Sequence, residues 1–179
     1  MSDEVTLYDN AFEIYITEKE IQNRVKALAE KINRDYIGLK PVVLCILNGS
    51  FIFTADLVRH FNFPLTVEFV RYSSYSGTKS TGKISKILGM KSEISGQDIL
   101  IVEDIIDTGY TISHAVEDLK SQNPSSVRIV SLLLKPDALQ HDVSCEYVGF
   151  RIPNKFVVGY GLDYDELGRD LPAIYQLKD

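Results

Sequence analysis

Apolar and polar positions follow two different periods along the chain, and these periods predict strands and helices in turn. Continuous apolar runs are typical of strands buried on both faces of a parallel sheet. The predicted strands are residues 41–47, 66–72, 99–102, 127–134 and 156–158. Helical spacing of apolar residues predicts helices over residues 17–34, 51–60 and 111–122. This alternation predicts an α/β protein with a mostly parallel sheet that is covered by helices on both faces.

Between these elements lies one polar stretch that has no hydrophobic period. Residues 73–83 are rich in serine and glycine, which predicts a long loop with residues 84–88 as its return strand. No linker, repeat or low-complexity tract divides the 179 residues. We therefore expect a single domain over residues 1–179.

Composition narrows the class of protein. The formal net charge is −6, which disfavours a surface for binding polyanions, so we expect no nucleic-acid partner. The chain has neither a leader-like start nor an apolar run of membrane-spanning length, so we expect a cytoplasmic protein without a membrane partner. Cys45 lies within a predicted strand and far from Cys145, which favours a buried thiol over a disulfide or a metal ligand.

The most informative segment is the strand-to-helix stretch over residues 99–111. Four apolar residues end in the carboxylate pair Glu103 and Asp104, and the turn Asp107-Thr108-Gly109 then opens a helical pattern. Ligands of open α/β sheets bind at the carboxyl ends of strands, and helix N-termini attract phosphate. Carboxylates repel a bare phosphate, but they accept hydrogen bonds from the hydroxyls of a ribose. The segment therefore predicts a sugar-phosphate site; the alternative is an ordinary turn with surface acids.

The order of acidic pair, apolar pair and Asp-Thr-Gly-x-Thr resembles the signature of the type I phosphoribosyltransferases. Other segments narrow the resemblance to the hypoxanthine-guanine phosphoribosyltransferases, and it extends from about Thr17 to Leu171. The resemblance implies a mostly parallel five-stranded sheet flanked by helices, with a small hood built from N- and C-terminal segments. Residues 5–8 and 12–16 are the predicted hood strands.

The resemblance also implies an activity in purine salvage. The 5-phosphoribosyl group of 5-phosphoribosyl 1-pyrophosphate is transferred to hypoxanthine or guanine, giving IMP or GMP plus pyrophosphate. Mg²⁺ is the implied cofactor, and a homodimer or homotetramer is the implied assembly.

Family roles transfer first to the sugar-phosphate segment. Glu103 and Asp104 are implied to hold the ribose hydroxyls, directly or through the metal, and Asp107 is implied to be the general base. The 5-phosphate is implied to bind the amides and hydroxyls of Thr108, Gly109, Tyr110 and Thr111.

Two further loops are implied to contact the pyrophosphate and to cover the site. Asn48 and Gly49 match a loop that binds pyrophosphate through its amides and often contains a cis peptide, which we place between Leu47 and Asn48. Some relatives have lysine where this chain has Asn48, so only the backbone role is carried over. Ser74 and Tyr75 match the Ser-Tyr pair of a lid that excludes water.

The purine side is implied by the C-terminal half of the chain. Lys135 matches a lysine that contacts the exocyclic oxygen of a 6-oxopurine, and an ammonium only donates, so it opposes the amino group of adenine. Phe156 matches the residue that stacks on the purine, and Val157 the residue whose backbone contacts its edge. Asp163 matches a magnesium ligand, and Arg169 matches a pyrophosphate contact. Without the resemblance, the segment would be an acidic surface turn with a local ion pair between Asp165 and Arg169.

Two other patterns fail on a single residue. The stretch over residues 77–83 is similar to a Walker A loop, but Ile84 follows where serine or threonine is required. Residues 159–161 begin a dinucleotide fingerprint, but Tyr164 stands in place of its third glycine. His60, His114 and His141 fall in no motif, so we assign them no catalytic role.

Two alternative functions remain open at this point. A xanthine-preferring phosphoribosyltransferase would differ only in groups that face purine carbon 2. A nucleotide-sensing regulator on the same fold would keep the sugar-phosphate site without turnover.

Overall fold

A computed structural model describes residues 3–74, 84–88 and 93–178 of the chain, without the side chains of residues 73, 74 and 84–88. Tyr75 and the Walker-like stretch over residues 77–83 lie outside the described residues. No helix in the described ranges is both long and apolar enough to cross a membrane. Cys45 is a buried free thiol, as predicted.

Strands and helices alternate through most of the chain. In order they are β1 (Glu4–Leu7), β2 (Asn10–Ile16), α1 (Glu18–Asp35), β3 (Val42–Leu47), α2 (Phe51–Val58), β4 (Thr66–Ser74), β5 (Ile84–Leu88), β6 (Asp98–Ile106), α3 (Tyr110–Lys120), β7 (Ser126–Leu134), β8 (Tyr147–Arg151), β9 (Val157–Val158) and β10 (Ile174–Leu177). A short 3-10 turn, Pro136–Ala138, follows β7. The predicted helices and most of the predicted strands are confirmed within a few residues at each end.

The main sheet has the strand order β5-β4-β3-β6-β7-β8 in the described part of the chain. Five neighbouring strands of this sheet, β4, β3, β6, β7 and β8, are parallel, which confirms the predicted five-stranded parallel sheet. β5 adds an antiparallel edge next to β4. The carboxyl ends of β3, β6 and β7 therefore meet at one edge of the sheet, and the loops after them are neighbours.

Helices cover both faces of this sheet. Successive side chains of a strand point to opposite faces, so each strand contributes buried residues to both helical layers. α1 begins with a capping box in which the Thr17 hydroxyl accepts from the Glu20 amide. On the face of α1 and α2, the buried strand residues include Val43, Leu100, Val102, Val130 and Leu132. On the face of α3, they include Val42, Leu44, Ile46, Ile99, Ile101 and Ile129. Continuous apolar strands are what two covered faces require.

A second, smaller sheet forms the hood, with the strand order β1-β2-β10-β9. β2 pairs antiparallel with β10, so the hood joins segments from near both ends of the chain. The two predicted hood strands are confirmed as β1 and β2. Its core contains Phe12, Val158, Ala173 and Tyr175.

Three strand predictions need correction. β6 continues through the acidic pair to Ile106 instead of ending at Val102, because it stays paired with β7 as far as Leu134. The apolar run over residues 156–158 lies in the hood, where β9 pairs with β10, and not in the main sheet. The fifth parallel strand is β8, which we did not predict because its five residues include a glycine and an arginine and form no apolar run.

Candidate active site

The loop after β6 surrounds a small cavity at the N-terminus of α3. The cavity has a volume of about 80 Å³ and is lined by residues 103 and 105–112. Gly109 precedes the helix with φ +82°, so no side chain caps the first helical turn. A Cβ on Gly109 would lie 2.9 Å from Val143 Cγ2, and its positive φ also favours glycine at this position. The structure therefore brings Thr108, Gly109, Tyr110 and Thr111 together around a phosphate-sized space with helix amides at one side.

This loop is braced from outside by the segment that follows the 3-10 turn. The Thr108 carbonyl accepts hydrogen bonds from the amides of Gln140 at 2.9 Å and His141 at 3.3 Å. The Thr108 hydroxyl accepts from the Tyr110 amide at 3.4 Å. The donating amides belong to the segment downstream of β7. No local pattern in the Asp-Thr-Gly motif indicated this contact.

Two adjacent carboxylates lie beside this cavity in an environment that opposes their charge. Glu103 is 8% exposed, and its Oε2 is a buried atom without a hydrogen-bond partner. Burial, together with the neighbouring charge of Asp104, raises the pKa of Glu103 well above its usual range. Desolvation also raises the pKa of Asp104 to about 6, although its Oδ1 accepts from the Ile105 amide at 2.8 Å. Both groups are suited to a ligand that supplies donors or positive charge.

Replacing Glu103 with glutamine is expected to stabilise the ligand-free protein at alkaline pH. Because folding raises the pKa of Glu103, the free energy of unfolding falls as pH rises from the unfolded-state pKa through the raised value. Glutamine removes this loss, and each kcal/mol gained raises Tm by about 2–4 °C in a chain of this size. Thermal unfolding without magnesium at about pH 5 and about pH 8 would measure the difference, which should grow towards the higher pH.

The exposed Glu117 on α3 provides the matched control. Glu117→Gln makes the same chemical change away from the cavity and should leave Tm unchanged at both pH values. A Glu103→Gln protein that is no more stable than the wild type at about pH 8 would contradict the prediction.

The loop after β3 packs directly on the acidic pair. The peptide bond between Leu47 and Asn48 is cis, which confirms the prediction. A Cβ on Gly49 would overlap Asp104 Oδ2 and would lie 2.5 Å from Asp104 Cγ. The predicted pyrophosphate loop is therefore in contact with Asp104, one of the two predicted ribose-binding carboxylates, at Gly49.

A C-terminal turn completes this half of the site. Gly161 lies against the carbonyl of Gly49, where a Cβ would overlap the oxygen. Arg169 Nη1 donates to the Gly161 carbonyl at 2.9 Å, and Nη2 lies 2.8 Å from Asp163 Oδ1. The local ion pair of Arg169 is thus with Asp163, and with Glu166 at 3.5 Å. Both Arg169 and Asp163 affect the pKa of Asp104 through their charges, so the three groups share one electrostatic environment.

The side of the site that is predicted to bind the purine contains an ion pair between two predicted site residues. Ile106 and Leu134 are paired at the ends of the neighbouring strands β6 and β7. Asp107 and Lys135 directly follow these two residues and are therefore neighbours. Lys135 Nζ lies 2.7 Å from Asp107 Oδ2, and Lys135 is only 6% exposed. A buried ammonium and a carboxylate therefore stand side by side at the edge of the sheet, next to the phosphate cavity.

Comparisons with known proteins agree with this geometry. The family model described as a phosphoribosyl transferase domain matches residues 14–165. A hypoxanthine-guanine phosphoribosyltransferase of Staphylococcus aureus (strain Mu50) is 43% identical over 173 residues, which cover 96% of this chain and 97% of the relative. The enzyme of that name from Dictyostelium discoideum is 44% identical over 172 residues, 93% of this chain and 96% of the relative. This chain belongs to the phosphoribosyltransferase family.

Solved structures in the same family share its architecture. The crystal structure of a hypoxanthine phosphoribosyltransferase from Staphylococcus aureus superposes with a TM-score of 0.88 at 44% identity, covering 93% of this chain and 91% of that one. A hypoxanthine phosphoribosyl transferase of Trypanosoma cruzi superposes with a TM-score of 0.89 at 39% identity, covering 97% and 95%. The parallel five-stranded sheet flanked by helices is thus the type I phosphoribosyltransferase fold.

The exposed ring of Phe156 is held in an aromatic cluster of the hood. Phe156 is 47% exposed, and its ring lies 6.2 Å from Phe12 and 5.7 Å, edge to face, from Tyr164. Val157 is buried next to it in β9. The Tyr164 hydroxyl accepts from Asn10 Nδ2 at 2.9 Å. Sequence reasoning missed Tyr164 and Asn10 as supports, because their contact spans 154 residues and has no local signal.

A magnesium ion fits these residues if substrate oxygens complete its coordination. Among the residues that the structure describes, no three Asp, Glu, His or Cys side chains converge closely enough to hold a metal ion alone. Magnesium is usually held by one or two carboxylates together with waters and substrate phosphates. The unpartnered Oε2 of Glu103 and the adjacent Asp104 supply such carboxylates.

The side chains of the two predicted lid residues lie outside the part of the chain that the structure describes. Ser74 ends β4, and its side chain lies outside the description, as does the whole of Tyr75. Their role in covering the site stays a prediction.

Proposed function

We propose that this chain transfers the 5-phosphoribosyl group of 5-phosphoribosyl 1-pyrophosphate to nitrogen 9 of hypoxanthine or guanine, releasing pyrophosphate and forming IMP or GMP. The observation that carries the proposal is the Lys135–Asp107 pair at 2.7 Å beside the phosphate cavity. A buried ammonium offers only donors, which match the exocyclic oxygen of a 6-oxopurine. The carboxylate next to it offers acceptors, which match a protonated nitrogen 7.

Three loops of the chain would each bind a different part of the sugar substrate. The amides at the start of α3 and residues 108–111 would bind the 5-phosphate, and Glu103 and Asp104 would accept from the ribose hydroxyls. The amides after β3 would bind the pyrophosphate, and Arg169 would contact it from the C-terminal turn. Glu103, Asp104 and Asp163 would hold magnesium, which would supply positive charge to neutralise the leaving pyrophosphate. Positioning and electrostatics therefore supply most of the catalysis.

Proton transfer on the purine side would fall to Asp107. As nitrogen 9 of the purine bonds to the anomeric carbon, the bond from that carbon to pyrophosphate breaks, and the proton on nitrogen 7 must leave. Asp107 Oδ2 is the acceptor, and Lys135, which carries three donors, can contact both Asp107 and the purine oxygen.

An ultraviolet assay with each of four bases tests this proposal. Purified protein, magnesium and 5-phosphoribosyl 1-pyrophosphate are mixed with hypoxanthine, guanine, xanthine or adenine. The expected result is rapid nucleotide formation from the first two and none from adenine. A preference for xanthine would support the proposed reaction but contradict the proposed base specificity, which depends on the groups that face purine carbon 2. No turnover with any base would overturn the proposal in favour of a nucleotide-sensing regulator.

Lys135→Gln is expected to lower kcat/KM for hypoxanthine by about 10- to 100-fold and to raise the adenine-to-hypoxanthine ratio. A glutamine amide can present its oxygen to the amino group of adenine, which the ammonium of Lys135 cannot do. Steady-state rates with both bases measure the ratio. The exposed Lys155, next to Phe156, is the control, and Lys155→Gln should leave the ratio unchanged. An unchanged ratio in Lys135→Gln would remove the specificity role.

We also propose that the enzyme is a cytoplasmic homodimer or homotetramer. Val67 and Phe69 lie on one face of β4 and are 36% and 44% exposed, which supports an interface on that strand. Sedimentation velocity would report the assembly.

A further inference from the structure

Tyr160 is buried in a backbone conformation that a bulky residue rarely adopts. It is 3% exposed, with φ +51°, between Gly159 at φ +100° and Gly161 at φ +102°. The two glycines adopt positive φ at no steric cost, but Tyr160 in the left-handed region is strained, and the surrounding structure must hold it in place. The proposed chemistry uses none of the side chain of Tyr160, so its contacts need a separate explanation.

The Tyr160 hydroxyl is bound by a carboxylate on another element. It donates to Asp56 Oδ2 at 2.6 Å, and the same oxygen accepts from Gln22 Nε2 at 2.9 Å. Asp56 lies on α2 and also has Arg59 Nη1 at 3.9 Å. Burial raises the pKa of Tyr160, so the phenol remains a donor over the whole working range of pH.

The two residues stand behind the pyrophosphate half of the site. α2 begins directly after the loop that contains Gly49, so Asp56 is on the element that continues from this loop. Tyr160 is adjacent to Gly161, which packs on the Gly49 carbonyl and accepts from Arg169 at 2.9 Å. Asp163 follows on the same turn. The hydrogen bond between Tyr160 and Asp56 therefore fastens the C-terminal turn to the helix that follows the pyrophosphate loop.

We propose that Tyr160 and Asp56 are a positioning pair that holds the turn over residues 159–163 against Gly49 and thereby sets the affinity for the pyrophosphate end of 5-phosphoribosyl 1-pyrophosphate. This inference rests on the proposed function for the identity of the ligand. Neither side chain touches the substrate. They act through Gly161, Asp163 and Arg169, whose places depend on the turn.

Tyr160→Phe removes one hydroxyl and keeps the ring, so it isolates the hydrogen bond. KM for 5-phosphoribosyl 1-pyrophosphate should rise about tenfold, while kcat and KM for hypoxanthine at saturating sugar substrate stay within about twofold. Isothermal titration of magnesium and 5-phosphoribosyl 1-pyrophosphate without a base should show the same loss of affinity, independently of turnover.

Tyr147→Phe is the matched control. Tyr147 is 2% exposed, and its hydroxyl donates to Asp35 Oδ2 at 2.8 Å and accepts from Arg128 Nη1 at 3.2 Å, away from the candidate site. Tyr147→Phe removes both of these bonds, so it should lower Tm at least as much as Tyr160→Phe and should leave both KM values unchanged. An equal rise of KM in the two variants would make the effect one of general stability and would overturn the proposal.

Two changes at Asp56 test the pair from its other side. Asp56→Asn keeps an oxygen that accepts from Tyr160 and should bind the sugar substrate nearly as well as the wild type, whereas Asp56→Ala should match Tyr160→Phe. Unchanged affinity in both Asp56→Ala and Tyr160→Phe would refute the pair. If the wild type forms no nucleotide from any base, the proposed function fails, and the calorimetric comparison of the variants still decides whether the pair positions the turn.

Discussion

Replacing Asp107 with asparagine is expected to lower kcat for hypoxanthine by roughly 10²- to 10⁴-fold, which is the usual contribution of a positioned general base. Asparagine keeps the size of the side chain, but its amide cannot take the proton from purine nitrogen 7. It also removes the negative partner of the buried Lys135, whose Nζ lies 2.7 Å from Asp107 Oδ2. Initial rates at saturating concentrations of both substrates give kcat directly.

The control for this change is on the 3-10 turn just beyond Lys135. Asp137 is exposed there, two residues after the lysine, and Asp137→Asn removes a charge from the same region without touching the pair. Its kcat should equal that of the wild type. Near-normal turnover in Asp107→Asn would refute the assignment of Asp107 as the base.

Gly49→Ala is expected to raise KM for 5-phosphoribosyl 1-pyrophosphate by about 100-fold or more and to lower kcat with it. The new Cβ would overlap Asp104 Oδ2, so either the carboxylate turns away or the loop after β3 shifts. Each movement displaces one of the two groups that we place on the sugar substrate. Calorimetric titration of the magnesium complex of that substrate, together with steady-state kinetics, separates the loss of binding from the loss of turnover.

Gly96 allows the same substitution where space is open. A Cβ on Gly96 would meet nothing within 4 Å, although its φ of +72° makes alanine unfavourable there. Gly96→Ala should therefore cost about 1 kcal/mol of stability and leave the kinetics unchanged. If Gly49→Ala loses stability but keeps its affinity for the sugar substrate, the packing of Gly49 on Asp104 has no role in binding.

The parallel sheet and the phosphate loop were predictable because their signals are local. Buried parallel strands form continuous apolar runs. The turn Asp107-Thr108-Gly109 is preceded in the sequence by a strand pattern and followed by a helical pattern. The hydrogen-bonded contact between Asp107 and Lys135 was not predicted, although both residues were. It depends on the register of β6 on β7, which places Ile106 opposite Leu134.

The parts that escaped prediction depend on pairing between distant segments. The run over residues 156–158 is equally apolar in either sheet, and only its partner β10 shows that it belongs to the hood. The strand β8 is recognised by its neighbour β7 and not by its own composition. The supports of the site, Asn10 for Tyr164 and Asp56 for Tyr160, join residues separated by 154 and 104 positions. No local period encodes such contacts.

The pairing of β2 with β10 has a consequence for the order in which the protein matures during synthesis. All the strands of the main sheet lie between residues 42 and 151, so this sheet can assemble while the chain is still growing. The hood cannot close until residues 174–177 have been made, because β10 lies between β2 and β9. β9 carries Val157, next to Phe156, and the turn with Asp163 and Arg169 lies between β9 and β10, so both the predicted purine contacts and the predicted pyrophosphate contacts depend on this last segment. A nascent chain could thus form the loop proposed for the 5-phosphate before it completed either the pyrophosphate end or the purine side of the site.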